Sequence, residues 1–213
     1  MARLEAPNLS SELIVNTALQ QMRDHHLEDI SMRPLAEALR VTPRALYRYF
    51  PTKEDLLRAA YIQVMGGFEL PTTGKWQDRL RRFALDFRNF TRDHSHIGAY
   101  LFSPHQPTHA EFRLLEFIVT TVRDAGVADH EIWVTSRNTL LNVYSMLRDE
   151  RNTGAPEPDY AELLAFMEER PGHYPAITEL AQQRVMASAT RYHNQIELLI
   201  GGIQARAASQ ACA

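Results

Sequence analysis

The chain has 213 residues, 45% hydrophobic and 23% charged, with a net charge of −3, the composition of an ordinary globule with its own core. Nine glycines are too few for a Gly-rich phosphate loop or a turn-dense all-β fold, and the single cysteine, Cys212, excludes an internal disulfide and points to the cytoplasm. With no run of about 18 apolar residues and no apolar N-terminal stretch, neither membrane insertion nor secretion is expected.

The first predicted helix runs from about Ser11 to His25, because Leu13, Ile14, Ala18, Leu19 and Met22 recur at three- and four-residue spacing. Ser31 is placed to N-cap a second helix, its hydroxyl accepting a first-turn N–H. Pro34 falls in that first turn, where a missing N–H costs nothing. Thr42-Pro43 is the clearest helix start in the chain, a cap hydroxyl followed by proline at the first helical position. Pro51 stops this third helix after Phe50. Thr52, with Asp55 three residues on, predicts a capping box for a fourth helix buried along Leu56, Leu57, Ala60, Tyr61 and Val64. Gly66-Gly67 and Pro71–Gly74 mark the end of this first unit.

Helical period continues beyond residue 75. One helix spans about Lys75–Asp93, a short one lies near Ile97–Phe102, and others cover about Thr108–Ala125 and Asp129–Asp149. Helices near Tyr160–Glu169 and from Ala176 precede the last, about Val185–Arg206. No segment alternates as a strand does, and none repeats. The expectation is an all-α protein of about nine or ten helices. Residues 1–55 form a three-helix helix-turn-helix domain, and residues 56–213 a larger helical domain for ligand binding and dimerisation.

The overall charge hides a local bias. Residues 40–53 hold Arg40, Arg44, Arg48 and Lys53 with no acid, enough for a phosphate-facing patch on a neutral surface. Two short helices joined by a tight turn, the second capped and basic, form a helix-turn-helix pattern. In that pattern Thr42, Pro43, Arg44 and Ala45 face base edges. Arg44 suits guanine O6 and N7, and Ala45 is small enough to approach a thymine methyl. Arg48, Lys53 and the hydroxyls of Tyr47 and Tyr49 suit phosphate oxygens. The same residues also read as a solvated basic face with half-buried tyrosines.

The stretch Leu27–Leu57, LEDISMRPLAEALRVTPRALYRYFPTKEDLL, resembles the signature segment of the tetracycline-repressor (TetR) family. The match rests on Ser31 before Met32-Arg33, Leu35-Ala36, Leu39 with Val41, Ala45-Leu46-Tyr47, Tyr49-Phe50, Lys53 and Leu56-Leu57. The resemblance implies that Tyr47, Tyr49 and Lys53 contact the DNA backbone, with Thr42, Pro43, Arg44 and Arg48 at or near base edges. Ser31 and Arg33, where the preceding helix starts, complete the expected DNA-binding set. The chain departs from the pattern at Arg40 and at His25 or His26, where many members have glycine.

The segment Trp76–Asp86 and the run Tyr192–Gln204 are similar to the ligand-binding domain of the tetracycline-repressor class. That similarity implies a homodimer joined by a four-helix bundle. Its expected interface is Trp133, Leu140, Tyr144 and Leu147 with Tyr192, Ile196, Leu199 and Ile203, although each stripe also fits an intrachain core. Gly201-Gly202 inside the last helix weakens it, which close approach of another helix would explain. An unknown small-molecule effector is expected against Phe83, Phe87, Tyr100, Phe102, His105 and Phe112, with Glu116, Arg137 and Asn138 as polar contacts. Core packing competes for the aromatic residues, and plain surface for the polar ones.

Nine histidines invite a metal reading, with His94, His96, His105 and His109 flanking one short helix. His130-Glu131 is followed by Val134 where a zinc-protease motif needs its second histidine, so neither metal nor other cofactor is expected. Nucleophile-elbow, P-loop and dinucleotide motifs are absent, which argues against an enzyme. The function these residues support is a ligand-responsive transcriptional regulator, a repressor that binds palindromic double-stranded operator DNA as a dimer and is released by its effector.

Overall fold

The computed structural model describes residues 9–24, 31–95, 100–101, 106–152, 165–166, 169–170, 172–175 and 188–210. Eight helices occur among them: α1 Ser11–Asp24, α2 Met32–Ala38, α3 Pro43–Tyr47, α4 Lys53–Gly66, α5 Trp76–Asp93, α6 His109–Asp124, α7 Asp129–Asn152 and α8 Ser188–Gln210. No strand occurs among the described residues, so the fold is all-α. The short helices expected near Ile97–Phe102, Tyr160–Glu169 and from Ala176 fall mostly outside those residues.

Three helix starts were predicted from cap residues, and they differ in outcome. Thr52 makes the full capping box: its hydroxyl accepts from the Asp55 N–H at 3.1 Å, and the Asp55 carboxylate accepts from the Thr52 N–H at 3.0 Å. Ser31 and Thr42 occupy their N-cap positions in extended backbone but make no side-chain cap bond. Physical reasons are at hand for both. The third helical residue after Ser31 is Pro34, which has no N–H to give. After Thr42 the corresponding amide, of Ala45, donates to the Thr42 carbonyl at 2.9 Å, a tight 3₁₀-type turn. The first helix starts at Ser11, as its pattern predicts, and is capped by Ser10, whose hydroxyl accepts from Leu13 N–H at 3.1 Å.

Two compact units make up the chain, residues 1–74 with 82–117 and residues 75–81 with 118–213. In the first, α1 packs on α2 and α4, and α2 on α3. Ile14, Ala18, Leu35, Leu46, Leu56 and Ala60 have essentially no exposed surface and form the centre of this core. Past Ala60, α4 runs on through buried Tyr61 and Met65, and Phe68, two residues beyond its end, is buried too. The Phe68 ring lies 5.1 Å from both Phe87 and Phe90, centroid to centroid, and Phe83 stacks on Phe87 at 5.5 Å. From α6, Phe117 joins Phe83 at 5.1 Å, and Arg113 donates to the carbonyls of Gly66 and Phe68 at 3.5 and 3.3 Å. The C-terminal end of α4 is thus held by aromatic packing and by a cation on its last carbonyls, where the helix dipole favours positive charge.

In the second unit α7 packs along α8. Gly126 has φ +85, a conformation that suits glycine, and turns the chain between α6 and α7. Arg81 makes a bidentate pair with Glu197 of α8 at 2.6 and 2.8 Å. Arg79 pairs with Asp124, and Arg206 with Glu131 at 2.7 Å. Among the described residues no helix is long and apolar enough to cross a membrane.

Candidate nucleic-acid interface

The turn between α2 and α3 is built by a specific backbone motif. The Arg40 N–H donates to Glu37 O at 3.0 Å, and the Val41 N–H reaches back to Ala36 O at 2.9 Å. These two bonds form a Schellman C-cap, which needs a left-handed residue at the position of Arg40. Arg40 has φ +55. Glycine would take that conformation freely, whereas an L side chain costs roughly 1–2 kcal/mol there. Val41 closes the motif by packing against the core beside Ala36.

The turn delivers α3 as a five-residue helix anchored by fully buried Leu46. With Leu46 inward, Thr42, Arg44, Tyr47 and Arg48 are exposed on the opposite side, and Pro43 and Ala45 are half-buried. Ser31 and Arg33 are exposed at the start of α2, and Lys53 is half-buried at the start of α4. Residues 31–53 carry five basic side chains against one acid, Glu37. Among the described residues Arg33, Arg40, Arg44 and Arg48 make no side-chain hydrogen bond or ion pair. Four guanidinium groups lie within 16 residues, neutralised by nothing among the described residues, and such a concentration of positive charge suits an anionic partner.

The two tyrosines on this surface are not equivalent. Both are exposed, Tyr47 at 47% and Tyr49 at 41%. The Tyr49 hydroxyl, however, donates to the carbonyl of Leu9 at 2.7 Å, bridging 40 residues to the entrance of α1. A phenol has one proton, so while that bond stands Tyr49 has none for a phosphate oxygen, which only accepts. Tyr47 makes no hydrogen bond among the described residues and keeps its proton available.

This geometry coincides with known sequence patterns. Residues 14–60 match the family model described as "Bacterial regulatory proteins, tetR family", and residues 70–207, more than half of the chain, match "Tetracyclin repressor-like, C-terminal domain". The chain belongs to the tetracycline-repressor family. An "HTH-type transcriptional regulator" of Saccharopolyspora erythraea is 30% identical over 95 residues, 44% of this chain but only 40% of that relative. The "HTH-type transcriptional repressor DrrR1" of Streptomyces coeruleorubidus is 24% identical over 93% of this chain and 78% of its own. Among solved structures, the TetR-family protein ActR of Streptomyces coelicolor in complex with actinorhodin superposes with a TM-score of 0.78 at 21% identity, over 93% of this chain and 98% of that one.

The residues expected in the TetR effector pocket differ in their surroundings. Phe83 and Phe87 are fully buried in the aromatic cluster that holds the end of α4. Tyr100 packs on Tyr61 of α4 at 4.9 Å, and burial pushes its hydroxyl above the ordinary pKa. Phe112 is 59% exposed, and Glu116, Arg137 and Asn138 also face outward. Phe102 and His105 lie outside the described residues. Among the described residues no three His, Cys, Asp or Glu side chains converge as a metal site would require, and His96, like His105, lies outside them.

The expected dimer stripe divides in the same way. Leu147, Tyr192, Ile196 and Ile203 are buried within their own chain, while Leu140, Tyr144 and Leu199 are half-buried and Trp133 is exposed. A second apolar strip was missed: Val134, Leu141 and Leu198 are 48%, 50% and 76% exposed. Val134 and Leu198 line an open groove between α7 and α8 with Asn138, Asn142 and Gly202. A Cβ on Gly201 or Gly202 would meet nothing within 4 Å, so nothing among the described residues accounts for the two glycines. The signal was legible in α8, where Leu198 falls between Ile196 and Ile200 on the opposite side of the helix.

Proposed function

We propose that the protein is a repressor that binds a palindromic DNA operator as a homodimer through Thr42–Arg48 and is released by a small-molecule effector in its C-terminal domain. The observation that carries the DNA reading is the exposed surface of unpaired arginines around a recognition helix whose other side is locked by Leu46. Arg44 reads a base edge, while Arg33, Arg48, Lys53 and Tyr47 hold phosphates. The second copy seats on the strip Val134, Leu141, Leu198 and Gly201-Gly202, where paired glycines permit close helix approach at the cost of about 1 kcal/mol each in helix propensity. Two recognition helices then read two half-sites about one DNA turn apart.

Support for an effector comes from the relative solved with actinorhodin and from the packing around α4. One end of α4 enters the DNA-binding core through Leu56 and Ala60, and the other is gripped by Arg113 and by Phe68 among Phe83, Phe87 and Phe90. A ligand that displaces α5 or α6 therefore moves α4 with it. The test is selection of binding sites from a random duplex pool by the full-length protein. The recovered sites should be two-fold symmetric, with affinity falling steeply as salt rises. Arg44→Ala should cost about 1–3 kcal/mol per half-site and relax preference at one base pair of each. Recovery of no common, salt-dependent site would refute the reading.

A further inference from the structure

Arg40 is the only non-glycine residue among those described with a positive φ. The Schellman turn demands that conformation, and glycine would supply it without penalty. Asparagine or aspartate would offset part of the strain by bonding locally. Arginine does not: the Arg40 guanidinium is exposed and makes no side-chain hydrogen bond or ion pair among the described residues, even with Glu37 three residues upstream. Nothing among the described residues therefore rewards this side chain for the strain it carries. Strain of that kind persists at positions that serve a function.

The place of Arg40 says what that function is. It stands two residues before the N-cap Thr42, so the two Cα atoms are at most about 7.6 Å apart. With the start of α3 in a major groove about 12 Å wide, a cation on a long flexible stem at that distance meets the phosphate edge of the groove. We propose that Arg40 is a DNA phosphate-binding residue, kept in a strained left-handed turn for the charge it places beside the recognition helix. This rests on the operator-binding reading, and it predicts that stability and DNA affinity oppose each other at this one position.

The experiment compares full-length wild type with Arg40→Gly, Arg40→Lys and Arg44→Ala, using a duplex selected by the wild type and a duplex of unrelated sequence. Arg40→Gly should raise Tm by about 2–4 °C as the strain is relieved. It should also weaken binding to both duplexes on the order of tenfold, because phosphate contact is blind to sequence, and reduce the log–log salt slope by about two for the two copies in a dimer. Arg40→Lys should keep the salt slope and the lower Tm. Arg44→Ala, in contrast, should lose affinity mainly for the selected duplex. Unchanged binding by Arg40→Gly, loss of slope in Arg40→Lys as well, or a fall of Tm and affinity together in Arg40→Gly would each overturn the assignment of Arg40. If wild type binds neither duplex in a salt-dependent way, the operator reading falls first and the Arg40 assignment with it.

Discussion

A single hydroxyl separates two residues that look alike in the motif Tyr47-Arg48-Tyr49. Tyr47 projects its phenol into solvent, whereas Tyr49 uses its proton to hold Leu9 at the entrance of α1. Tyr47→Phe should therefore weaken DNA binding and leave the free protein as stable as before. Tyr49→Phe should lower stability by at most about 1 kcal/mol, speed amide exchange in the first turn of α1, and weaken DNA binding less than Tyr47→Phe does. Denaturation, hydrogen exchange and fluorescence anisotropy on the two variants would read this out. Equal losses of affinity with no change in exchange would return Tyr49 to the phosphate-binding set. The motif predicts a common role for both because a bond across 40 residues leaves no local trace.

The helices themselves were largely legible, since capping, proline placement and apolar period are local properties. Where a cap failed, the cause was also local: proline without an N–H after Ser31, and a tightened first turn after Thr42. Thr52→Ala should consequently cost about 1 kcal/mol in chemical denaturation, while Ser31→Ala and Thr42→Ala cost far less. The α8 ion pair adds a pH dependence. Hydrogen bonds from Arg81 hold the Glu197 carboxyl below the usual carboxylate range, so its ionised form is favoured by folding. The stabilisation is present above the ordinary carboxylate pKa and fades as pH falls through the lowered folded value. Both side chains are more than one-third exposed, so the effect is small. The stability difference between wild type and Glu197→Gln should shrink as the solution is acidified below about pH 4, and a constant difference would rule out this origin.

At the scale of the whole molecule, the outward strip on α7 and α8 carries the prediction for assembly. Leu198→Glu places a charge at the most exposed apolar side chain of α8, 76% accessible in the single chain. Sedimentation should find it monomeric with unchanged helix content and with operator binding lost. A dimer of wild-type affinity would place the interface elsewhere. Arg113→Ala, which frees the last carbonyls of α4, should leave operator binding intact but reduce the response to any effector that releases the wild type.

What the sequence determined by itself was the all-α class, the phase of the long helices and the helix-turn-helix with its family pattern. These follow from interactions within one or two turns and from residue identities at fixed spacing. What only the tertiary structure decided was the direction in which each apolar stripe is covered. Tyr192, Ile196 and Ile203 are buried within their own chain, while Leu198 and the two bare glycines stay open on the same helix. Periodicity identifies a face that leaves water, but the surface that receives it is set by distant parts of the chain, beyond the reach of any local rule. The same holds for Phe83 and Phe87, whose aromatic character suits a pocket or a core and whose rings the fold sets beside Phe68, just past α4. Arg40 stands between the two cases: its sequence position marks an unusual turn, and only the fold reveals the positive φ and a cation without a partner among the described residues.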